Sequence, residues 1–362
     1  MRRLFFAFAL AAFVLPAPAA ASPWTLPRGD VVVAMGYDLL WADREYLDNR
    51  NARAFPLNGR LTASTFTMAA RAGFTDRLEL ELQIPVRLVS FRSDSVIIFD
   101  QAGAGIDFFQ ENVLDFSETA RGVGDVILAG RYGLLQGSTA IALEGRAKIP
   151  AGYDGPEGTF GSDPQTVAAF LAGDPDEIVS PTNIRDDVTL GAGQVDLSLN
   201  LLLGSAFASR TFLRADAGYT LRLDGAGDQI VGAFKIGQAI GSRVLLFAET
   251  RGAYSIQEGR SVGVSVFAID PDVPAEDYGP REGDPLFNLG LREFPLDYDV
   301  LQVAAGAIFR FSPSVEMNLA YQRTVLGRNL AEAQQVFISI AVRRSFLPPP
   351  PPPGEANASE ER

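Results

Sequence analysis

The sequence predicts an all-β protein: a transmembrane antiparallel β-barrel of the outer-membrane type, with about twelve strands, short periplasmic turns and long acidic extracellular loops. Three observations predict it. Apolar and polar residues alternate with period two over stretches longer than ordinary strands. The gaps between those stretches are alternately short and long. The chain opens with an export signal yet holds no later apolar run long enough for a spanning helix.

The N-terminal MRRLFFAFALAAFVLPAPAAAS has two arginines, an apolar run from Leu4 to Leu15, and small residues at Ala19 and Ala21. This is the pattern of a secretory signal peptide, residues 1–21, cut after Ala21. Its apolar run is too short for a membrane helix, and no later segment approaches the ~20 apolar residues such a helix needs. There is no cysteine and no histidine. Disulfides, thiolate nucleophiles, histidine bases and the usual zinc ligands are therefore all missing.

Twelve strands are read at 31–46, 61–74, 77–92, 122–135, 139–152, 191–206, 210–223, 229–240, 243–257, 299–311, 315–327 and 334–346. Each is long enough for the ~9–11 tilted residues that cross a bilayer. The turns after even strands are tight: FTDR (74–77), LLQGS (134–138), FASR (207–210), IGSR (240–243) and FSPS (311–314). Three of the gaps after odd strands are long: 94–121, 154–188 and 258–297. In bacterial barrels the short turns are periplasmic, and an even strand count returns both termini to that side.

The phase of each strand tells which face meets lipid. In RLELELQIPVRL (77–88), Leu78, Leu80, Leu82, Ile84, Val86 and Leu88 oppose Arg77, Glu79, Glu81, Gln83 and Arg87. Strand five sets Ile141, Leu143 and Ala147 against Glu144, Arg146 and Lys148, and strand six sets Leu197, Leu199 and Leu201 against Asp196, Ser198 and Asn200. In strand seven Leu213, Tyr219 and Leu221 oppose Arg214, Asp216, Thr220 and Arg222; strands ten and twelve follow the same rule, and strands one and eight alternate weakly. A soluble sandwich would alternate too, but nothing in it forces the turns to be short on one side only. Aromatics such as Phe66, Phe74, Phe309 and Phe311 punctuate the apolar face, as interfacial girdles do. The leucines therefore face lipid and the charges face the lumen.

The three long loops carry 23 acids against 5 bases, a net of −18 in a chain of net −13, so the remainder is slightly basic. Acidic loops suit solubility. Asp174, Asp176 and Glu177 offer hard oxygens of the kind Ca²⁺ prefers, without EF-hand spacing, and no metal or other cofactor is expected. Two loop segments are apolar enough to fold inward, 95–116 and the helix-like 164–173. The last strand, QVFISIAVRRSF, ends at Phe346 in the lipid-facing phase, and residues 347–362 follow it. The six prolines Pro348–Pro353 impose an extended spacer of ~3.1 Å per residue, read as a disordered periplasmic tail or a tether to a periplasmic partner.

GFTDRLELELQIPVRL (73–88), GVGDVILAGRYGLL (122–135), LEGRAKIPAGYD (143–154) and GAGQVDLSLNLLLG (191–204) together resemble a family of bacterial outer-membrane proteins, the "MetA-pathway of phenol degradation" family. In that family a turn of GLTD type leads into a strand. A G-x-G-D strand running to R-Y follows, here Gly122–Asp125 with Arg131 and Tyr132. A strand ending K-x-P-x-G comes next, here Lys148, Pro150 and Gly152, and then a G-x-G-x-x-D strand. The likeness covers most of residues 61–224. It implies a barrel that takes up phenol-like or other hydrophobic compounds.

The function expected is thus passive uptake of a small organic molecule, aromatic or hydrophobic, across the bacterial outer membrane. Pore-lining candidates are Arg71, Arg77, Glu79, Glu81, Arg87, Asp125, Arg131, Glu144, Arg146, Lys148, Asp196, Arg214, Asp216, Arg222, Glu249, Arg251 and Arg310. The alternative is a structural or adhesive barrel with a plugged lumen. An enzyme is disfavoured, since no histidine base and no G-x-S-x-G elbow is present. The negative charge argues against nucleic acid. A fourteen-stranded barrel would need two further strands within 258–297, around VGVSVFAID, and would put a long acidic segment in a periplasmic turn.

Overall fold

The computed structural model describes residues 22–47, 50–94, 117–156, 188–268 and 289–346, with short stretches at 96–97, 113–114, 279–281 and 284–287 and two single positions. The signal peptide, the inner parts of the loops at 95–116 and 164–173, the Asp174–Glu177 cluster and the proline-rich tail lie outside the described residues. Twelve antiparallel strands make one closed sheet. They are β1 (Asp30–Ala42), β2 (Arg60–Gly73), β3 (Leu78–Arg92), β4 (Glu118–Val123 and Val126–Leu135), β5 (Thr139–Ile149) and β6 (Asp196–Ala206). β7 (Thr211–Arg222), β8 (Gln229–Ile240), β9 (Val244–Ser255), β10 (Asp299–Ser312), β11 (Val315–Arg328) and β12 (Gln334–Ser345) complete it. Each strand pairs with its sequence neighbours, and β1 closes on β12 in a register that sets Asp30 opposite Ser345.

All twelve predicted strands are present, and the differences lie at their ends. The fifth stops at Ile149 because Pro150 has no N–H for the ladder. The sixth begins at Asp196 rather than Gly191, and the first ends at Ala42, after which Arg44–Tyr46 pairs with Ala52–Ala54 and Leu330–Ala331 as a small sheet at the rim. The strands considered for a fourteen-stranded barrel do form, as Ser261–Ala268 and Leu289–Pro295, but they pair only with each other. No helix among the described residues is long and apolar enough to cross a membrane.

Pro85 explains a break in the wall. It sits mid-strand in β3 with no N–H to give, so the β3–β4 ladder is interrupted where Gly124 N donates to Pro85 O at 3.0 Å. The interruption turns Asp125 toward the interior, where it lines the central cavity.

The outside is apolar. Leu80, Leu82, Val86 and Leu88 are exposed while Glu79, Glu81, Gln83 and Arg87 are buried, the alternation expected when lipid replaces water outside the barrel. Phe74, Phe207, Phe311 and Phe346 are exposed around the periplasmic end, forming one aromatic girdle. A charge placed in this belt should be costly. Leu201→Arg, in the middle of lipid-facing β6, is expected to destabilise the barrel by ~2–4 kcal/mol, read as a lower urea midpoint in lipid vesicles. An unchanged midpoint would mean that Leu201 does not face hydrocarbon.

A buried apolar cluster lies at the extracellular end, inside the wall of β1–β3. There the rim segment buries Leu47, Phe55 and Leu57 alongside the equally buried Leu40, Leu61, Val89 and Phe91, while Tyr46 pairs with Leu330 near the end of β11. Phe55 meets Phe91 edge to face, with ring centroids 5.4 Å apart. Below this cluster the β3–β9 side of the interior is charged.

Candidate functional site

The interior wall has two unlike halves. Inward positions of β3–β9 carry most of the charge, whereas those of β10–β12, β1 and β2 are more often small or uncharged, such as Ala304, Gln322, Ser339, Ala34 and Thr67. The charged half holds two ionic knots separated by a cavity.

The deeper knot centres on Arg131. Register sets it directly across from Glu79 on β3 and Glu144 on β5. Its guanidinium reaches Glu79 at 2.5 Å, Glu144 at 2.6 Å and Glu81 at 3.3 Å. Arg71 adds a contact to Glu79 at 3.6 Å and Arg146 one to Glu144 at 3.4 Å, so three arginines balance three carboxylates. The Arg131 side chain is only 1% exposed, which makes this a packed structural knot.

The second knot lies toward the extracellular mouth and gathers the sequence motifs that resemble a known family. Lys148 bridges Asp196 at 2.6 Å and Asp125 at 3.5 Å, and Arg222 approaches Asp196 at 3.7 Å. Tyr153 donates to Asp125 and accepts from Gly193 N at 3.3 Å. Burial and the Asp125 carboxylate hold the Tyr153 phenol above its ordinary pKa, so it remains the donor. Gly191 leaves the room this needs, since a Cβ there would lie 2.1 Å from the Tyr153 hydroxyl. Arg87 donates to Leu190 O, pinning the same segment, and Arg222 also stacks over Tyr298 at 5.0 Å.

Between the knots lies a central cavity of ≈ 220 Å³, lined on its charged side by Arg146, Lys148, Asp216, Glu249 and Arg251. Charges here pair locally: Arg214 with Asp216, Arg251 with Glu249 at 2.5 Å, and Lys235 with Glu249 at 2.9 Å. Among the described residues no cluster is placed to hold a metal ion.

The periplasmic end is narrowed by residues 22–29. This strap runs along the inner wall from β6 to β2 before the chain enters β1. Leu26 N donates to Glu79 Oε2 at 2.8 Å, tying it to the deeper knot. Trp24 Nε1 donates to Gly137 O at 2.7 Å, and Gln136 Nε2 to Pro23 O at 3.0 Å. Its seat is made of inward glycines: a Cβ on Gly204 would lie 2.5 Å from Pro23, and one on Gly73 would lie 2.0 Å from Pro27 O.

Most of the predicted lumen residues meet in these knots or line the cavity. Two do not. Arg77 is exposed in the turn between β2 and β3, and Arg310 is exposed at the periplasmic end of β10. The reading missed Lys235 and Asp38, which point inward from β8 and β1, the two strands with the weakest alternation. It also missed the strap and the inward-folded rim segment. The alternation stops before both, and only the buried apolar side chains of Leu26, Phe55 and Leu57 betray them.

Comparison with known proteins is silent at the level of sequence: no family profile matches, and no curated protein does. Solved structures do match in shape. An outer-membrane channel from Pseudomonas putida F1 superposes with a TM-score of 0.55 at 12% identity, over 88% of this chain and 97% of that one. The translocator domain of the autotransporter NalP from Neisseria meningitidis gives 0.42 at 11% identity, over 88% and 90%. The toluene transporter TodX of Pseudomonas putida gives 0.38 at 11% identity, over 94% and 96%. The first shows the fold; the other two are too far in shape to carry an argument. The chain is a twelve-stranded barrel of the outer-membrane type.

Proposed function

We propose that the mature chain is a narrow, passive channel of the bacterial outer membrane that takes up a small organic solute, aromatic or hydrophobic. In this reading residues 1–21 are the export signal, 22–346 the barrel and 347–362 a periplasmic tail. The observation that carries it is the inversion of the barrel: an apolar exterior around a charged interior that still contains an open cavity. A barrel built only as an anchor gains nothing from opposed charges left about one-fifth accessible, as Arg146 and Lys148 are. Two further points support the reading. The Pseudomonas putida structure with the same fold is an outer-membrane channel. The motif residues Asp125, Lys148, Gly191 and Asp196 meet at the cavity mouth, which favours kinship with the phenol-degradation-type barrels. The reading is of a transporter and not an enzyme, since no base of the histidine type is available to activate water or serine.

The strap at the periplasmic end favours one competing reading, a plugged barrel of structural or adhesive role. Single-channel recording of residues 22–362, refolded and inserted in a planar bilayer, separates the two. Discrete current steps are expected; a folded, heat-modifiable barrel that stays silent would establish the plugged reading instead. Arg146→Glu then tests the path itself. Reversing a charge that lines the cavity is expected to move the reversal potential toward cation selectivity. An unmoved potential would put Arg146 off the conduction path.

A further inference from the structure

We infer that the uncharged half of the lumen holds a solute-binding subsite, for a small, neutral, mostly apolar molecule carrying one hydroxyl or similar hydrogen-bonding group. The inference rests on the channel reading and names the kind of solute that reading leaves open.

A second cavity, ≈ 300 Å³, lies in the periplasmic half of the barrel and shares no lining residue with the central one. Its floor is β1, β2, β10 and β12, where inward positions are occupied by Ala34, Gly36, Ala69, Ile308, Phe337 and Ala341. The missing side chain of Gly36 makes room for the ring of Phe337, which comes within 3.0 Å of where a Cβ would be. The ring is thereby laid along the cavity wall and presents an aromatic surface to it.

Two of the three charges at its edge are held in ion pairs. Arg71 contacts Glu79 at 3.6 Å and Lys235 contacts Glu249 at 2.9 Å, while Glu316 sits on the periplasmic side. An anion would have to break into those pairs and would also face the Glu316 carboxylate, whereas a neutral solute leaves the pairs intact. Asn318 supplies the polar handle: the residue lines the cavity, and its buried Oδ1 has no hydrogen-bond partner among the described residues. An amide with unspent hydrogen-bonding capacity beside an apolar floor discriminates between an alcohol and the bare hydrocarbon. The size suffices, because an apolar cavity of ~150 Å³ is enough to hold benzene.

The test uses 4-fluorobenzyl alcohol as probe, with fluorobenzene and 4-fluorobenzoate as comparators, added to refolded residues 22–362 in detergent. Saturable broadening of the fluorine resonance reads binding, and variants in the same detergent cancel partitioning into micelles. The alcohol is expected to bind best. Ala341→Leu, which fills the floor, should weaken it by about tenfold or more. Asn318→Leu should abolish the preference for alcohol over fluorobenzene. Ala34→Leu, directly opposite Ala341 in the β1–β12 register, serves as an independent filling variant should Ala341→Leu fail to refold. Equal broadening in the native chain and in a folded filling variant overturns the subsite, as does stronger binding of the benzoate. Conductance recorded on the same preparation keeps the two ideas apart. Current without saturable binding removes the subsite and leaves the channel. Saturable binding that a filling variant removes, in a silent barrel, removes the channel and leaves the subsite.

Discussion

Deleting residues 22–27 is expected to raise single-channel conductance several-fold while leaving the barrel folded. Residues 22–27 of the strap occupy inner-wall space at the periplasmic end, and their hydrogen bonds run to turns, to Glu79 and, from Asp30 N to Pro27 O, to the start of β1. Removing it takes away no pairing between strands. Glu79 keeps its bonds to Arg131 and Arg71. Gly204→Leu is the complementary variant, because a side chain there collides with Pro23 and Trp24 and displaces the strap with the chain intact. Both changes should widen the pore. If conductance stays at the native level in both, the narrowest point of the path lies elsewhere, and the mouth knot around Lys148 becomes the constriction to examine.

The largest loss of stability is expected at Arg131. Arg131→Leu leaves Glu79, Glu81 and Glu144 facing one another without the guanidinium that binds all three. Breaking a buried ion pair by removing one partner costs ~3–5 kcal/mol, far more than the pair's own net contribution. Arg71 and Arg146, at 3.6 and 3.4 Å, hold part of the charge and place the cost toward the lower end. The measurement is the urea midpoint of the refolded barrel. Adding Glu81→Gln to Arg131→Leu should recover part of the loss, since it removes the carboxylate with the longest contact. A variant as stable as the native protein would show the knot to be well hydrated.

How far residues could be read from sequence depends on what lies on the far side of each strand. RLELELQIPVRL was legible because its inward partners are charged, so lipid and lumen phases differ as strongly as side chains can. β1 and β8 were hard because their inward positions include Val32, Ala34, Leu40, Val231 and Ala233, which are apolar on a wall that faces a cavity or the rim cluster. Asp38 and Lys235 then look like isolated charges and not like members of a face. The knots could be predicted as lumen charge but not as pairings, since strand register is set by turns and by the Pro85 break. The strap and the rim segment have no periodicity to read. They became visible only as apolar side chains buried where a pore was expected.

The closure of β1 on β12 has a consequence for how the molecule comes to exist. The first strand's partner is the last to be made, some three hundred residues later, and Phe346 N completes the seam by donating to Gly29 O at 2.9 Å. Until β12 is in place, β1 and the growing end are both raw sheet edges, open to any neighbouring strand. Assembly is therefore dominated by a contact of maximal sequence separation and has to be slow. A chain cut short before Gln334 has no seam to make and is left with two open sheet edges.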